Sequence, residues 1–344
     1  MSVDLEIVEP GLATTLQDLG RRGFQRFGIS ASGVMDPMAL ATANALVGNK
    51  LETAALEITL AGPTLSCGGA DIRFALAGAD FAIAIDGRPV SSHETHDLKA
   101  GHRLSIGTAR DGARAVLAVS GGFQVAPMLG SVSTHSRSQL GGLDGGPLRA
   151  GDRLPLAAPG VPARPHLMVS PAHRHRAQGA IRVLLGPQDD AFSAEGIATF
   201  FASDYTVTPL SDRMGCRLEG PRVQHAGAVG IVSDGTVFGS IQIPGNGQPI
   251  ILLADRQTTG GYPKIATVIS ADLPRLAQLR PGERVRFQAI EEDVAIQLAR
   301  DMRERIRRID ASLIEIQRTA APTSDHLLAC NLIDGVISAL DEQS

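Results

Sequence analysis

Apolar residues come in short bursts along this chain. Residues 72–77 (IRFALA), 81–85 (FAIAI), 115–119 (AVLAV), 181–185 (IRVLL) and 249–254 (PIILLA) alternate with polar positions or are nearly continuous. Runs of this length, bounded by Gly, Pro and polar residues, predict β-strands. Two segments keep a helical period instead. Asp36 stands before Pro37 and the run 38–47, with Gly48 behind it. That order predicts a helix with an N-cap, a proline in its first turn and a glycine stop. From 291 to 318 the chain is charged, and Ile296, Ala299, Met302, Ile306, Ile309, Leu313 and Ile316 recur at helical spacing. A second short helix is expected over 325–340, after Ala320-Ala-Pro-Thr.

The stretch 155–171 carries five prolines and reads as a linker or long surface loop, because proline cannot donate to a sheet ladder. His173 and His175 follow it. With no third ligand nearby they read as part of a solvated basic loop. On either side of the linker the sequence echoes itself. LKAGHRL (98–104) and LRAGDRL (148–154) resemble LRPGERV (279–285), each pairing a glycine turn with a strand start. Ala55-Leu56-Glu57, running to Gly62-Pro63, is answered by Arg217-Leu218-Glu219, running to Gly220-Pro221. Ser32-Gly-Val-Met35 has a weaker echo in Ser211-Asp-Arg-Met214. Single short matches arise by chance; several in similar order predict two related β-rich halves. The expected boundaries are 1–160 for the first, 161–178 for the Pro-rich linker, 179–290 for the second and 291–344 for a helical tail.

Composition narrows the classes. Gly supplies 38 of 344 residues, above the usual share of roughly 7%, with 20 Pro and 3% aromatics. Short strands joined by tight turns fit this better than long helices. The net charge is −4, with 36 acidic and 32 basic residues. That argues against a general nucleic-acid binder, which needs a basic face and, for single strands, stacking aromatics. Three scattered cysteines (Cys67, Cys216, Cys330) without a CxxC pair point to a reducing compartment and no structural zinc. The acidic start and the lack of a long apolar run are read as a soluble, cytoplasmic protein with no membrane partner.

Several signatures are missing: GxxxxGK[ST], HExxH, GxSxG, and a Met-Lys biotin attachment site. ATP or biotin chemistry would therefore be carried by another chain or domain. The densest polar cluster follows the strand at 249–254. It holds Asp255, Gln257, Thr258, Thr259, Gly260, Gly261, Tyr262 and Lys264, with Gln248 ahead of it. Gly260 and Gly261 would let backbone N–H groups approach a ligand oxygen. Lys264, the only lysine of the second half, could neutralise an oxyanion or carboxylate, and Asp255 could exchange a proton. A plain polar turn with a solvated lysine explains the same residues. An N-terminal counterpart contains Gln17 and Asp36, although Asp36 needs no further role than capping a helix. Arg213, within 211–217, could fork onto a carboxylate or simply pair with Asp212. Cys216 reads as a small apolar filler.

At these residues the chain resembles the allophanate hydrolase subunit 2 family, also known as the C subunit of prokaryotic 5-oxoprolinase. The same module forms the carboxyltransferase domain of urea carboxylase. The matching stretches are TTLQDLGRRGFQRFGISASGVMD, ANALVGN, ALEITLAGPTL, GSVST, SDRMGCRLEGP and IQIPGNGQPIILLADRQTTGGYPKIATVISADL, together spanning about residues 5–290. The resemblance implies a mainly β fold of two tandem cyclophilin-like β-barrel subdomains, here with a helical C-terminal extension. Two departures stand out. The family usually follows Ser-Thr with Asp, where this chain has His135. It usually has Gly-Gly-x-x-Gly-Arg, where this chain ends in Gly146.

The resemblance implies the C subunit of an ATP-dependent 5-oxoprolinase, an amide (lactam) hydrolase converting 5-oxo-L-proline to L-glutamate beside subunits B and A. The B subunit is the direct partner expected, and the partners hold or share the ATP. On that reading Lys264, Asp255 and Asp36 are the catalytic candidates. Arg213, Gln17, Gln248, Gln257, Thr258, Thr259, Gly260, Gly261 and Tyr262 are expected to bind substrate, and no metal is expected. Biotin-dependent carboxyl transfer to urea or a related amide is an alternative. A non-catalytic regulatory partner, of the kinase-inhibitor antagonist type, is a second.

Overall fold

The structure is a computed structural model that describes residues 3–174, 178–227 and 229–316. The first half contains β1 (Asp4–Glu9), β2 (Ala13–Gln17), α1 (Pro37–Val47), β3 (Ala55–Thr59), β4 (Thr64–Cys67), β5 (Ile72–Ile85), β6 (Arg88–Val90), β7 (Thr95–Leu98), β8 (Arg103–Val119) and β9 (Arg153–Pro155). These strands make one nine-stranded sheet. Its main path is β2-β3-β8-β4-β1-β9, and β5 joins on the other side of β8 while pairing β6 and β7. The apolar runs 72–77 and 81–85 belong to the single 14-residue strand β5, paired with β8 from Phe74↔Val119 to Ile85↔Leu104. Between the runs lies a bulge at Gly78. A Cβ there would stand 2.7 Å from the Arg114 carbonyl, so only glycine lets the strand bend and stay in the sheet.

β10 (Leu167–Val169) follows. The second half then contains β11 (Ile181–Leu185), α2 (Ala194–Ala202), β12 (Tyr205–Val207), β13 (Gly215–Glu219), β14 (Asp234–Gly235), β15 (Ser240–Gln242), β16 (Ile250–Leu252), β17 (Thr259–Gly260), β18 (Lys264–Val268), α3 (Leu273–Ala277), β19 (Arg284–Val285) and β20 (Phe287–Ala289). Eight of these strands run in the order β19-β12-β13-β16-β15-β18-β11-β20. The two end strands are consecutive in sequence, separated by Arg286 alone, so the sheet curls back on itself as a barrel. β14 and β17 form a separate two-stranded ribbon. The fold is thus mainly β with two barrel-like sheets, as the resemblance implies. In each echoed segment the glycine (101, 151 and 282) has positive φ and a strand begins two residues later.

Each sheet encloses its own apolar core, the first around Leu16, Phe74 and Leu117, the second around Val183, Ile241 and Ile265. Phe200 and Phe287 stack in the second with ring centroids 4.6 Å apart. Helix α1 forms as expected: the Asp36 side chain accepts from Ala39 N at 3.0 Å, and left-handed Gly48 closes it. It packs on β5 and β8 and is buried from Ala39 to Val47, which explains its apolar composition all round.

The tail differs from expectation. Helix α4 spans Glu292–Arg307 and stops there. The chain then turns, and β21 (Leu313–Glu315) pairs with β10 through Leu167↔Glu315, Met168↔Ile314 and Val169↔Leu313. Ile309 is buried, and Leu313 packs on the cluster beneath α1. The helical spacing of these apolar residues serves packing in a short 3-10 turn, Ile309–Ser312, and a strand, not in a continued α-helix. The Pro-rich stretch also carries structure, since β10 lies inside it and the buried Arg73 donates to the Arg164 carbonyl at 2.6 Å. His175, Cys330 and the helix expected at 325–340 lie outside the described residues.

The halves lock together through side chains that reach across. Gln278 Oε1 accepts from Ala113 N and Arg114 N of β8 at 3.1 and 3.2 Å, and its Nε2 donates to Asp36 at 2.9 Å. Met35 of the first half packs in the core of the second.

Candidate functional site

At the junction of the halves, three loops and one strand bring four polar side chains together. Arg213 precedes β13, Asp255 follows β16, Glu57 lies mid-strand in β3, and Ser32 sits before α1 with φ of +54°. Arg213 Nε and Nη2 meet the two oxygens of Asp255 at 2.8 and 3.0 Å, a side-on fork. Its Nη1 donates to Glu57, and Nη2 also reaches the Gly33 carbonyl at 2.6 Å. Ser32 Oγ lies 2.5 Å from Asp255 Oδ1. The other Glu57 oxygen accepts from Met35 N at 2.6 Å. Glu57 is 1% exposed and Asp255 7%. Burial works against the charge on Arg213, but the two carboxylates outweigh it and hold its pKa above the ordinary value.

This geometry changes the reading of Arg213. The fork expected on a substrate carboxylate falls on the chain's own Asp255 and Glu57. Asp255 in turn has both oxygens occupied, so it positions neighbours. His135, buried beside it, accepts from Ser138 N at Nδ1 (3.2 Å), which assigns the proton to Nε2, 3.3 Å from the Asp255 carbonyl. Gln17 joins the same junction: its Nε2 donates to the Thr134 carbonyl at 3.0 Å, an oxygen also 3.0 Å from Ser32 Oγ.

Lys264 belongs to a second cluster. It opens β18 and is 2% exposed, yet its ammonium is held by Asp234 Oδ2 at 2.6 Å and the Gly235 carbonyl at 3.1 Å, both on the β14–β17 ribbon. Asp234 is exposed and also accepts from Gln188 Nε2 at 3.1 Å. The hydrogen bond from Lys264 is the main reason the Asp234 carboxyl is drawn below its ordinary pKa. Gly260 sits in the ribbon facing Gln242, whose Nε2 would lie 2.3 Å from an added Cβ and would have to move to admit one. Gln257, Thr259 and Tyr262 are exposed along this ribbon, and Thr258 and Gly261 are half-buried.

Two expected site residues lie elsewhere. Gln248 closes a loop by exchanging both hydrogen bonds with the Gly220 backbone, at 2.8 and 3.0 Å. Asp36 caps α1 and holds Gln278; burial raises its pKa. Asp36 and Lys264 thus stand in separate hydrogen-bond networks, one at the helix cap and one at the ribbon. Sequence reasoning missed Glu57, Ser32, Asp234, Gln188 and Arg21. Arg21 is 1% exposed, and Nη2 donates to the Ser133 carbonyl. A charged residue inside an apolar strand, as in ALEIT, was the one signal available for Glu57. Among the described residues no three His, Cys, Asp or Glu side chains are grouped to hold a metal, and no helix is long and apolar enough to cross a membrane.

A family model described as carboxyltransferase domain, subdomain A and B, matches residues 27–289. The chain belongs to this carboxyltransferase-domain family. Two curated proteins of similar sequence are both named as the C subunit of 5-oxoprolinase. The one from Haemophilus influenzae is 38% identical over 308 residues, covering 89% of this chain and 98% of the relative. The one from Escherichia coli K12 is 39% identical over 297 residues, covering 86% and 94%. Among solved structures, the Kluyveromyces lactis urea carboxylase superposes with a TM-score of 0.83 at 30% identity, covering 93% of this chain but only 31% of that one. The carboxyltransferase-domain match takes in both clusters from Ser32 to Lys264 and leaves Gln17 and Arg21 ahead of its start.

Proposed function

We propose that this chain is the C subunit of a cytoplasmic, ATP-dependent 5-oxoprolinase, opening 5-oxo-L-proline to L-glutamate together with a B subunit as direct partner and an A subunit. The observation that carries this is extent. The chain is matched across 94% of one 5-oxoprolinase C subunit and 98% of another, but covers 31% of the urea carboxylase. In the reaction, water adds to the lactam carbonyl carbon and the C–N bond breaks. The ring nitrogen takes a proton and becomes the α-amino group, while ATP is cleaved to ADP and phosphate on the partner subunits. A lactam resists attack because its carbonyl is resonance-stabilised, so the developing oxyanion must be met by fixed donors. Lys264 is the candidate. It is buried, where a charge acts more strongly than in water, and exchange of Asp234 for the substrate oxygen would bring its ammonium to bear. The Gly260 and Gly261 backbone, on the ribbon that holds Asp234, is the further candidate to meet that oxygen. Asp255 and Arg213 hold the junction in shape.

The test is reconstitution of the three subunits with 5-oxoproline and ATP, following glutamate and phosphate. Lys264→Met is expected to lower turnover by roughly 10²–10³-fold, the usual cost of one oxyanion donor. Full activity of that variant removes Lys264 from the mechanism.

A second reading, carboxyl transfer from carboxybiotin to urea or a related amide, is favoured by the structural similarity to urea carboxylase. Carboxybiotin would arrive as a substrate carried by another domain or chain. Carboxylation of urea by the chain, with no glutamate formed from 5-oxoproline, selects it. Tight binding to the B subunit without turnover on either amide selects a regulatory role.

A further inference from the structure

With Arg213 committed to the chain's own carboxylates, another group must receive an anionic substrate. Arg21 is a buried cation with two donors left over. It is 1% exposed, and only Nη2 has a hydrogen-bond partner, the Ser133 carbonyl; Nε and Nη1 are buried without one, and Asp18 and Asp255 act on the guanidinium through charge alone. The fully buried Gln17 donates from Nε2 to Thr15 Oγ1 and the Thr134 carbonyl, both at 3.0 Å, while its Oε1 accepts nothing. The two side chains hang from consecutive carbonyls of one loop, 133 and 134. That loop is fixed by Asp18, whose carboxylate takes Ser131 Oγ and Ser133 Oγ at 2.6 Å and Val132 N at 2.9 Å. Buried donors and acceptors in native proteins are almost always paired. An unpaired cationic donor and an unpaired amide oxygen, anchored on consecutive residues of one loop, are the complement of a small molecule carrying a carboxylate and an amide N–H.

We infer that Arg21 and Gln17 form the recognition subsite for the substrate, with Arg21 taking the carboxylate and Gln17 Oε1 the lactam N–H. The inference rests on the 5-oxoprolinase reading. Since these atoms are closed from solvent, binding goes with an opening of the junction. The segment 22–28 directly after Arg21, exposed except for half-buried Phe24, is where that opening is placed.

The experiment uses the reconstituted complex and two lactams, 5-oxo-L-proline and 2-pyrrolidinone, which lacks the carboxylate. Arg21→Gln is expected to lower kcat/KM for 5-oxoproline by roughly 10–100-fold, the range for a hydrogen bond to a charged group, mainly through KM. Activity on 2-pyrrolidinone, which has no carboxylate for Arg21 to hold, is expected to fall far less. Arg21→Lys, which keeps the charge but not the fork, should fall between, and it carries the test if Arg21→Gln does not fold. Millimolar guanidinium should restore Arg21→Ala toward wild type on 5-oxoproline only. Parallel loss on both lactams, or no loss on either, overturns the inference and leaves the 5-oxoprolinase reading standing. A wild-type complex that opens neither lactam overturns both.

Discussion

Arg213 and Asp255, 42 residues apart in sequence, meet through two parallel hydrogen bonds of 2.8 and 3.0 Å, and the same guanidinium reaches 156 residues back to Glu57. One cation therefore neutralises two nearly buried carboxylates on opposite halves. Its removal takes away the only cation hydrogen-bonded to either among the described residues, leaving Arg114, Arg21 and Arg256 to act on them through charge alone.

Arg213→Ala is expected to destabilise the chain by about 3–5 kcal/mol, the usual consequence of orphaning a buried charge. Equilibrium unfolding in urea reads this as a lower midpoint. Arg213→Ala with Glu57→Gln should lose less than the sum of the two single changes, because Glu57 is then no longer a buried anion. An additive result would mean that Arg213 and Glu57 do not interact as described.

Asp36 and Gln278 offer a second cross-junction test. One Asp36 oxygen accepts from Ala39 N and the other from Gln278 Nε2. Asn has only one acceptor oxygen, so Asp36→Asn keeps one of these bonds and sets an N–H against the other donor. A loss of about 1–2 kcal/mol is expected. Asp36→Ala removes the cap as well and should cost about 2–4 kcal/mol. Thermal unfolding of the two variants should rank them in that order.

Asp272 governs part of the acid limb. Fully buried, its carboxylate accepts from Arg182 N, Nε and Nη2 at 2.8, 3.1 and 2.6 Å, and from Arg275 Nη1 at 3.1 Å. Burial alone would raise its pKa; these contacts outweigh burial and hold it below the ordinary 3.8. On acidification the unfolded chain takes up this proton first. The stabilisation is therefore complete above about pH 4 and is lost as pH falls through the folded-state value. Asp272→Asn should be less stable at neutral pH and show a shallower decline below about pH 4. Urea midpoints measured across that range check it; parallel curves for both proteins would refute it.

Much of the architecture could be read locally. The strand runs, the capped helix after Asp36 and the glycine turns of the echoed segments depend on near neighbours, and each is found where expected. The failures have a common form. Residues 309–316 keep a helical spacing yet turn and pair with β10, because the apolar surface beneath α1 decides their path. Two runs read as separate are one bent strand, because Gly78 permits a bulge that only the pairing with β8 reveals.

The sequence by itself determined the mainly β class, the two-half organisation and the family, since periodicity, turn chemistry and motif order are properties of adjacent residues. Only the tertiary structure decided which charges meet. It gave Arg213 to Asp255 and Glu57, gave Lys264 to Asp234, and left Arg21 and Gln17 with unpaired buried atoms. A hydrogen-bond partner is chosen by strand register and by the packing of one half on the other, and neither is written in the spacing of residues along the chain.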